Sequence, residues 1–156
     1  MIYIQSTKIG KIGIEIDGDF IIHLYFENAL ANLNPAKITK IPKDLHLQAF
    51  KQIDEYFEKS RKQFDLPIRL DVTPFQAKVL AQMQQIGYGK VATYKDLAVA
   101  VGSPNGSRAV GGACNKNPIA IIVPCHRVVG SNHSLTGFAG GLSVKTLLLE
   151  LEGVEL

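Results

Sequence analysis

The sequence places a nucleophile, a base and a cation in consecutive positions, Cys125, His126 and Arg127, directly after Pro124. The apolar run before them, residues 119–123, predicts a short buried strand that ends in a sharp bend and brings Cys125 out of the core. A thiol attacks as its thiolate, and a nearby positive charge or base lowers its pKa. The pattern therefore predicts nucleophilic chemistry at Cys125, with an inert buried cysteine as the common alternative.

The base next to this nucleophile needs further groups. Adjacent side chains on an extended segment point to opposite sides, so a bridging water or a turn must bring His126 to Cys125. A third group should orient the imidazole. Glu150 and Glu152 near the end of the chain are both candidates, and their spacing does not decide between them.

The other cysteine and the remaining histidines suggest no further chemistry. Cys114 follows Gly-Gly-Ala in a predicted helix and is expected to pack as a small apolar residue. Two cysteines are too few for a disulfide scaffold. His23, His46 and His133 are scattered, and without a Cys-x-x-Cys or His-x-x-x-His pair we predict no metal site.

Composition narrows the class of protein. The chain has 156 residues, of which 46% are hydrophobic, so it can build a core in one domain or two small lobes. Disorder, a membrane span and a signal peptide are not expected, and we predict a cytoplasmic protein. The net charge of +3 is uneven: residues 1–72 are neutral, residues 73–149 carry seven basic side chains against one acid, and three acids follow. The basic stretch suggests an anionic partner such as nucleic acid, although charges spread over a solvated surface are an equal alternative.

The first 72 residues read as a small α/β lobe. Apolar and alternating runs predict three strands, with the turn signal Asp17-Gly18-Asp19 between the last two. Residues 28–42 are predicted to be a loop. Helical spacing of apolar residues predicts a helix over 44–59, and alternation predicts a fourth strand over 64–71.

Helix signals dominate from Thr73 onward. Thr73 with Gln76 and Thr93 with Asp96 form two predicted capping boxes, and Gly102 ends the second helix. A third helix is predicted from Ser103-Pro104 to about residue 115, a glycine-rich loop over 130–141 and a last helix over 143–151. The second and third helices suggest a helix-turn-helix, in which Arg108 would lie where such modules face DNA.

These motifs together resemble the O6-alkylguanine-DNA alkyltransferases. The resemblance covers residues 73–153 and is carried by PCHRV at 124–128, RAVGGA at 108–113, Asn117-Pro118, a Gly-Gly loop and a lysine-bearing helix that ends in Glu-Gly. It implies an α+β protein with a ribonuclease-H-like N-terminal lobe, residues 1–72, and a mainly helical lobe, residues 73–156, that contains the helix-turn-helix. The N-terminal lobe fits this description but has no diagnostic motif.

The resemblance also implies a role for individual residues. Cys125 would accept the alkyl group, His126 would act as its base through a water, and Glu152, rather than Glu150, would orient His126. The other implied roles are ordering the active-site turn (Asn117), bonding the flipped base and crowding the phosphate that must rotate (Tyr94), filling the vacated stack (Arg108), a cation near the site (Lys145) and reading the guanine edge through the backbone (Val128 and Ala139, with Cys125). Arg127, one of the basic residues of the second lobe, is also predicted to contact DNA.

The implied activity is DNA repair by irreversible, single-turnover alkyl transfer from O6-alkylguanine to Cys125, by a monomer that uses double-stranded DNA and no cofactor. Two alternatives stay open. A non-catalytic sensor of alkylated DNA usually lacks the acceptor cysteine, and a cysteine hydrolase built on Cys125 and His126 would turn over. Four positions depart from the family pattern and leave its substrate range and loop mobility open: Leu80, Gly87, His133 and Ala139.

Overall fold

The computed structural model describes residues 1–155 and divides into two compact units, Met1–Asp71 and a second that begins at Val72. The division lies one residue ahead of the predicted boundary. Strands are concentrated in the first unit and helices in the second, so the predicted α+β class is confirmed. Along residues 1–155, no helix is long and apolar enough to cross a membrane.

The first unit is built on an antiparallel sheet in the order β1-β2-β3. The three predicted strands are present as β1 (Ile2–Thr7), β2 (Gly10–Asp17) and β3 (Phe20–Phe26). The predicted loop after them contains a short helix, α1 (Glu27–Leu30), and a 3-10 turn at Pro35–Lys37. The predicted helix is α2 (Asp44–Phe57), whose apolar face packs on the sheet. The core of this unit includes Ile12, Ile14, Ile21, Ala49, Phe50, Ile53 and Tyr56.

The fourth strand predicted over residues 64–71 is wrong. This segment makes a single isolated bridge, Ile68 with Ile21. The backbone of Asp65 is bound by the Gln52 side chain, which accepts from its N–H at 2.8 Å and donates to its carbonyl at 3.0 Å. Pro67 has no N–H to donate. Apolar and polar residues do alternate in this segment, but the backbone groups of Asp65 and the missing N–H of Pro67 cannot add hydrogen bonds to a β-sheet.

The second unit consists mainly of four helices. They are α3 (Pro74–Met83), α4 (Tyr94–Ala100), α5 (Ser107–Asn115) and α6 (Leu142–Leu151). Both predicted capping boxes are formed, by Thr73 with Gln76 and by Thr93 with Asp96. A parallel pair of short strands, β4 (Ala92–Thr93) and β5 (Val128–Val129), joins the start of α4 to the segment after Cys125.

The predicted helix-turn-helix is formed by α4 and α5, and α3 packs against α5. Gly102, with φ of 81°, ends α4 as predicted. The predicted start of α5 at Ser103-Pro104 is wrong, because Ser103 closes a turn: its N–H donates to Ala98 at 2.8 Å and its carbonyl accepts from Gly106 at 2.8 Å. The helix therefore begins at Ser107, and Arg108 lies in its first turn, exposed.

The capping box of α4 is expected to contribute measurably to stability. Thr93→Ala removes the Oγ1 acceptor that the Asp96 N–H uses at 3.0 Å, and we expect a loss of about 1 kcal/mol in the free energy of unfolding. Urea denaturation of the whole chain measures this loss. Thr93→Ser retains the acceptor and serves as the control, so equal midpoints for the alanine and serine variants would contradict the assignment.

Candidate active site

Cys125 follows a tight turn that the Asn117 side chain holds together. The Asn117 amide donates to the Val123 carbonyl at 2.9 Å and accepts from the Ile119 N–H at 3.1 Å. The Val123 N–H in turn donates to the Ile119 carbonyl at 2.9 Å. The strand predicted over residues 119–123 is therefore wrong: the segment is buried, as expected, but it is folded back on itself.

This turn contains strained backbone next to the nucleophile. Ile121 has φ of 74°, in the left-handed region that β-branched residues rarely adopt. Such a conformation persists only where its surroundings impose it, and Ile121 is 1% exposed and enclosed by the bonds of Asn117. Pro124 then leads into a 3-10 turn, Cys125–Arg127, which fixes the direction of its three side chains.

The environment of the Cys125 thiol favours its neutral form. Burial raises the pKa of Cys125, while a hydrogen bond from Asn117 and the charge of Lys145 oppose this rise. Lys145 is almost fully buried in α6, and burial lowers the pKa of its amine, although Cys125 opposes that shift. Cys114 is the contrasting case, because burial raises the pKa of its thiol to about 12 and makes it a poor nucleophile.

His126 is a buried imidazole held by a carboxylate. Its Nε2 lies 2.6 Å from Glu152 Oε2, and both side chains are inaccessible to solvent. Burial lowers the pKa of His126, and Glu152 opposes this shift without cancelling it. The ring is therefore neutral near pH 7 and able to take up a proton.

Glu152 is the point at which several segments meet. Its carboxylate accepts from Arg127 Nε at 2.9 Å, from the second guanidinium nitrogen Nη2 at 3.1 Å and from the Gly89 N–H at 3.0 Å. Gly89 has φ of 77°, and a Cβ there would lie 3.1 Å from the Glu152 carbonyl oxygen, so this position requires glycine. Glu150, the other candidate from the sequence, is exposed.

Tyr94 brings a phenol to the thiol from the start of α4. Its hydroxyl lies 2.6 Å from Thr136 Oγ1, in the loop before α6. Burial raises the pKa of Tyr94, so the phenol is a hydrogen-bond donor rather than an anion at neutral pH. Lys145 Nζ donates to the carbonyls of Val128 at 2.7 Å and Thr136 at 3.3 Å, which ties this loop to α6.

A small cavity lies beside Cys125. Its walls include Tyr94, Cys114, Asn117, Cys125, Phe138 and Ala139. The volume is ≈ 20 Å³, which is room for about one water molecule. The site therefore combines a thiol in a cavity, a neutral imidazole on the next residue, a carboxylate that orients it and a phenol donor: the groups needed to transfer a group to sulfur.

Comparison with known proteins identifies the family. Residues 74–154 match the 6-O-methylguanine DNA methyltransferase DNA binding domain, and residues 2–70 match the ribonuclease-like domain of the same family. The chain belongs to the 6-O-methylguanine DNA methyltransferase family. The resemblance that the sequence carried is thereby confirmed.

Relatives of this methyltransferase family align over nearly the whole chain. Two are named methylated-DNA–protein-cysteine methyltransferase. The protein from Methanosarcina mazei is 44% identical over 96% of this chain and 95% of its own length. The protein from Haemophilus influenzae is 38% identical over 95% of this chain and 83% of its own. The crystal structure of Mycobacterium tuberculosis OGT in complex with DNA superposes with a TM-score of 0.86 at 35% identity, over 97% of this chain and 91% of that one.

The structure brings together most of the residues implied by the methyltransferase resemblance. Cys125, Tyr94, Asn117 and Ala139 line the cavity. His126 and Glu152 form the buried pair described above, and Lys145 is bonded to the adjoining loop. Arg108 and Val128 lie outside the cavity wall: Arg108 is exposed on α5, and the Val128 carbonyl is bound by Lys145.

The structure argues against the DNA contact predicted for Arg127. Its side chain is buried and donates two hydrogen bonds to Glu152 and a third to the Ile86 carbonyl at 2.8 Å. A guanidinium committed to a buried carboxylate is not presented to a phosphate. Arg127 is therefore corrected to a structural partner of Glu152.

Some residues of the site carried no sequence signal. Thr136 and Phe138 lie in the predicted glycine-rich loop, and the sequence pattern of this loop singles out neither residue. The bond from the Gly89 N–H to Glu152 joins residues 63 positions apart in the sequence, so no local pattern predicts it. Of the departures, Leu80 is a fully buried core residue and His133 is an exposed loop residue with φ of 58°.

Removing the Glu152 charge is expected to destabilise the second unit. Glu152→Gln leaves the Arg127 guanidinium buried without its anionic partner, which costs about 3–5 kcal/mol when one member of a buried pair is lost. Glu150→Gln is the matched control, because it removes an exposed carboxylate from the last turn of α6, which Glu152 caps, and should change stability by less than about 0.5 kcal/mol. Chemical denaturation of both variants tests the difference, and equal stability would contradict it.

Proposed function

We propose that this chain repairs DNA by transferring the alkyl group of O6-alkylguanine irreversibly to Cys125 Sγ. The observation that carries the proposal is the Cys125 thiol in a cavity shared with Tyr94, followed directly by a His126 ring bound to Glu152. The names of the Methanosarcina and Haemophilus relatives support the activity. The Mycobacterium tuberculosis relative, solved with DNA, supports DNA as the partner.

The reaction is a displacement at the alkyl carbon. A bond forms between Sγ and that carbon while the bond from the carbon to O6 breaks, and the electron pair of the broken bond stays on guanine. The thiol proton passes to His126, directly or through a water. Negative charge develops on the leaving base, and the Tyr94 hydroxyl is the donor available on the cavity wall to stabilise it.

The protonation states favour proton transfer during the attack rather than before it. Burial raises the pKa of Cys125 and lowers that of His126, so a neutral thiol beside a neutral imidazole is the resting state. Forming the ion pair in advance would place two new charges in a buried site, which is costly. Glu152 lessens this cost by stabilising the imidazolium as it forms.

The DNA partner follows from the chemistry and from the charge of the second unit. An O6-alkyl carbon lies inside the duplex, so the base must be extruded, at a cost of a few kcal/mol. Contacts between basic side chains and phosphates offset such a cost. Arg108 is exposed in the first turn of α5, the second helix of the helix-turn-helix, and is the side chain that fills the vacated stack.

The decisive experiment is a mass measurement. Whole protein is incubated with a duplex oligonucleotide that contains one O6-methylguanine, then digested. We expect one methyl group on the Cys125 peptide, no methyl group on the Cys114 peptide and a reaction that stops after one equivalent, because a thioether offers no route back to the thiol.

Three results would count against the proposal. Repaired DNA with an unmodified Cys125, or product that keeps accumulating beyond one equivalent, would favour a hydrolase. Binding without transfer would favour a sensor. Cys125→Ser is the control variant, expected to bind the oligonucleotide and leave the methyl group in place.

Arg108 offers a test of base extrusion. Arg108→Ala should slow transfer from duplex DNA by roughly tenfold or more, because the extruded state costs a few kcal/mol and loses its support. Lys116→Ala removes an equal charge from the exposed residue directly after α5 and is the matched control. Single-turnover rates on duplex and single-stranded substrates separate the effects, and equal losses for both variants would show that Arg108 contributes charge alone.

The monomeric state and the cytoplasmic location remain predictions. The reaction as written needs one chain, because all of its groups come from the second unit. Light scattering of the free protein and of the complex with a short duplex tests the first of these predictions.

A further inference from the structure

Tyr94 and Thr136 are joined by their hydroxyl groups beside the reactive thiol. The two oxygens lie 2.6 Å apart, although the residues are 42 positions apart in the sequence. This distance is at the short end of the range for hydrogen bonds between hydroxyls. The side chain at position 136 therefore influences the direction in which the Tyr94 hydrogen points.

Thr136 is held in place independently of Tyr94. Its carbonyl accepts from the buried Lys145 at 3.3 Å. Its methyl group packs against Gly130, where an added Cβ would lie 3.2 Å from Thr136 Cγ2. The cavity wall formed by Phe138 and Ala139 begins just after this fixed point. The two anchors keep Thr136 beside Tyr94.

We propose that Thr136 is a positioning residue for alkyl transfer, which donates its hydroxyl hydrogen to Tyr94 Oη and so directs the phenol hydrogen toward the leaving base. The proposal rests on the proposed function of Cys125. Each hydroxyl has one hydrogen, so donation by Thr136 leaves the hydrogen of Tyr94 for another acceptor. A chain of two hydroxyls also polarises the outer donor and strengthens its bond to a developing anion.

Donation by Thr136 has a consequence for the chemistry of Tyr94. Burial raises the pKa of Tyr94, and the hydrogen bond with Thr136 opposes that rise. A hydrogen bond that the phenol oxygen accepts favours the phenolate. With Thr136 as the donor, the phenol is therefore a better donor to the base.

Thr136→Val tests the role, because it keeps the shape of the side chain and removes the hydroxyl. Transfer from O6-methylguanine in duplex DNA is followed at saturating DNA, and the dissociation constant is measured separately. We expect the transfer rate constant to fall about three- to tenfold, the range for one neutral hydrogen bond, with DNA affinity unchanged. Thr136→Ser should restore the rate. Ser134→Ala, which removes another hydroxyl from the same loop, is the matched control and should leave both quantities unchanged.

A second substrate separates positioning from structural damage. Iodoacetamide alkylates a thiol with loss of iodide, which needs no hydrogen-bond donor, so Thr136→Val should leave the rate of this reaction at Cys125 unchanged. Equal slowing with both alkyl donors would mean that the variant disturbs Cys125, and would overturn the proposal. In a Tyr94→Phe background Thr136→Val should cause no further loss, and an additional loss there would also overturn it.

Methylation of the wild-type protein distinguishes failure of the proposed function from failure of the role of Thr136. If Cys125 remains unmethylated by the O6-methylguanine duplex, the proposed function and the role of Thr136 both fail. If wild type is methylated and Thr136→Val is equally fast, only the role of Thr136 fails.

Discussion

The arrangement of the site depends on one buried carboxylate. The Glu152 side chain is fully buried, and an isolated carboxylate in such a place costs several kcal/mol in lost hydration. Two hydrogen bonds from Arg127, one from Gly89 and the contact with His126 compensate that cost. Because these groups come from two segments, the turn that carries Cys125 and the loop at Gly89, satisfying the charge at the end of α6 fixes three segments relative to one another.

The same charge balance explains why the thiol and the imidazole are neutral before the reaction, although the reaction generates charge on both. Arg127 balances Glu152, so the buried pair needs no proton from His126, whose pKa stays below its ordinary value. The imidazole is therefore neutral and able to accept a proton when the thiol must release one. A thiol that is neutral until substrate arrives is also a poor target for stray electrophiles, since the thiolate is the reactive form. For a residue that reacts once, such restraint is an advantage.

Local interactions were predictable from the sequence, and interactions between distant side chains and backbone were not. The capping boxes at Thr73 and Thr93 act over three residues, and both form. The segment after Asn117 has the apolar composition of a strand, but the Asn117 amide captures its backbone and makes it a turn.

Arg127 shows the same limit at the level of function. Its charge within a basic stretch suggested DNA, whereas its partner, Glu152, is 25 residues away and buried with it. Nucleophilic chemistry was predictable from Cys125 and His126, because a thiol and an imidazole can act as a nucleophile and its base. The residues that hold and orient these two side chains were predictable only where the family resemblance implied them, as for Glu152.

The loop at residues 86–89 contains two glycines, and Gly87 departs from the family pattern. Comparing it with Gly89 shows which of the two positions the site requires. A Cβ on Gly87 would meet only Lys90 Cδ, at the ordinary contact distance of 3.6 Å, so this position has room for a side chain. Gly89 has no such freedom, because its positive φ and its close approach to Glu152 exclude one. Position 87 can therefore depart from the family pattern without disturbing the Gly89 N–H that supports the carboxylate. What the reaction needs from this loop is the backbone at Gly89, and that is retained.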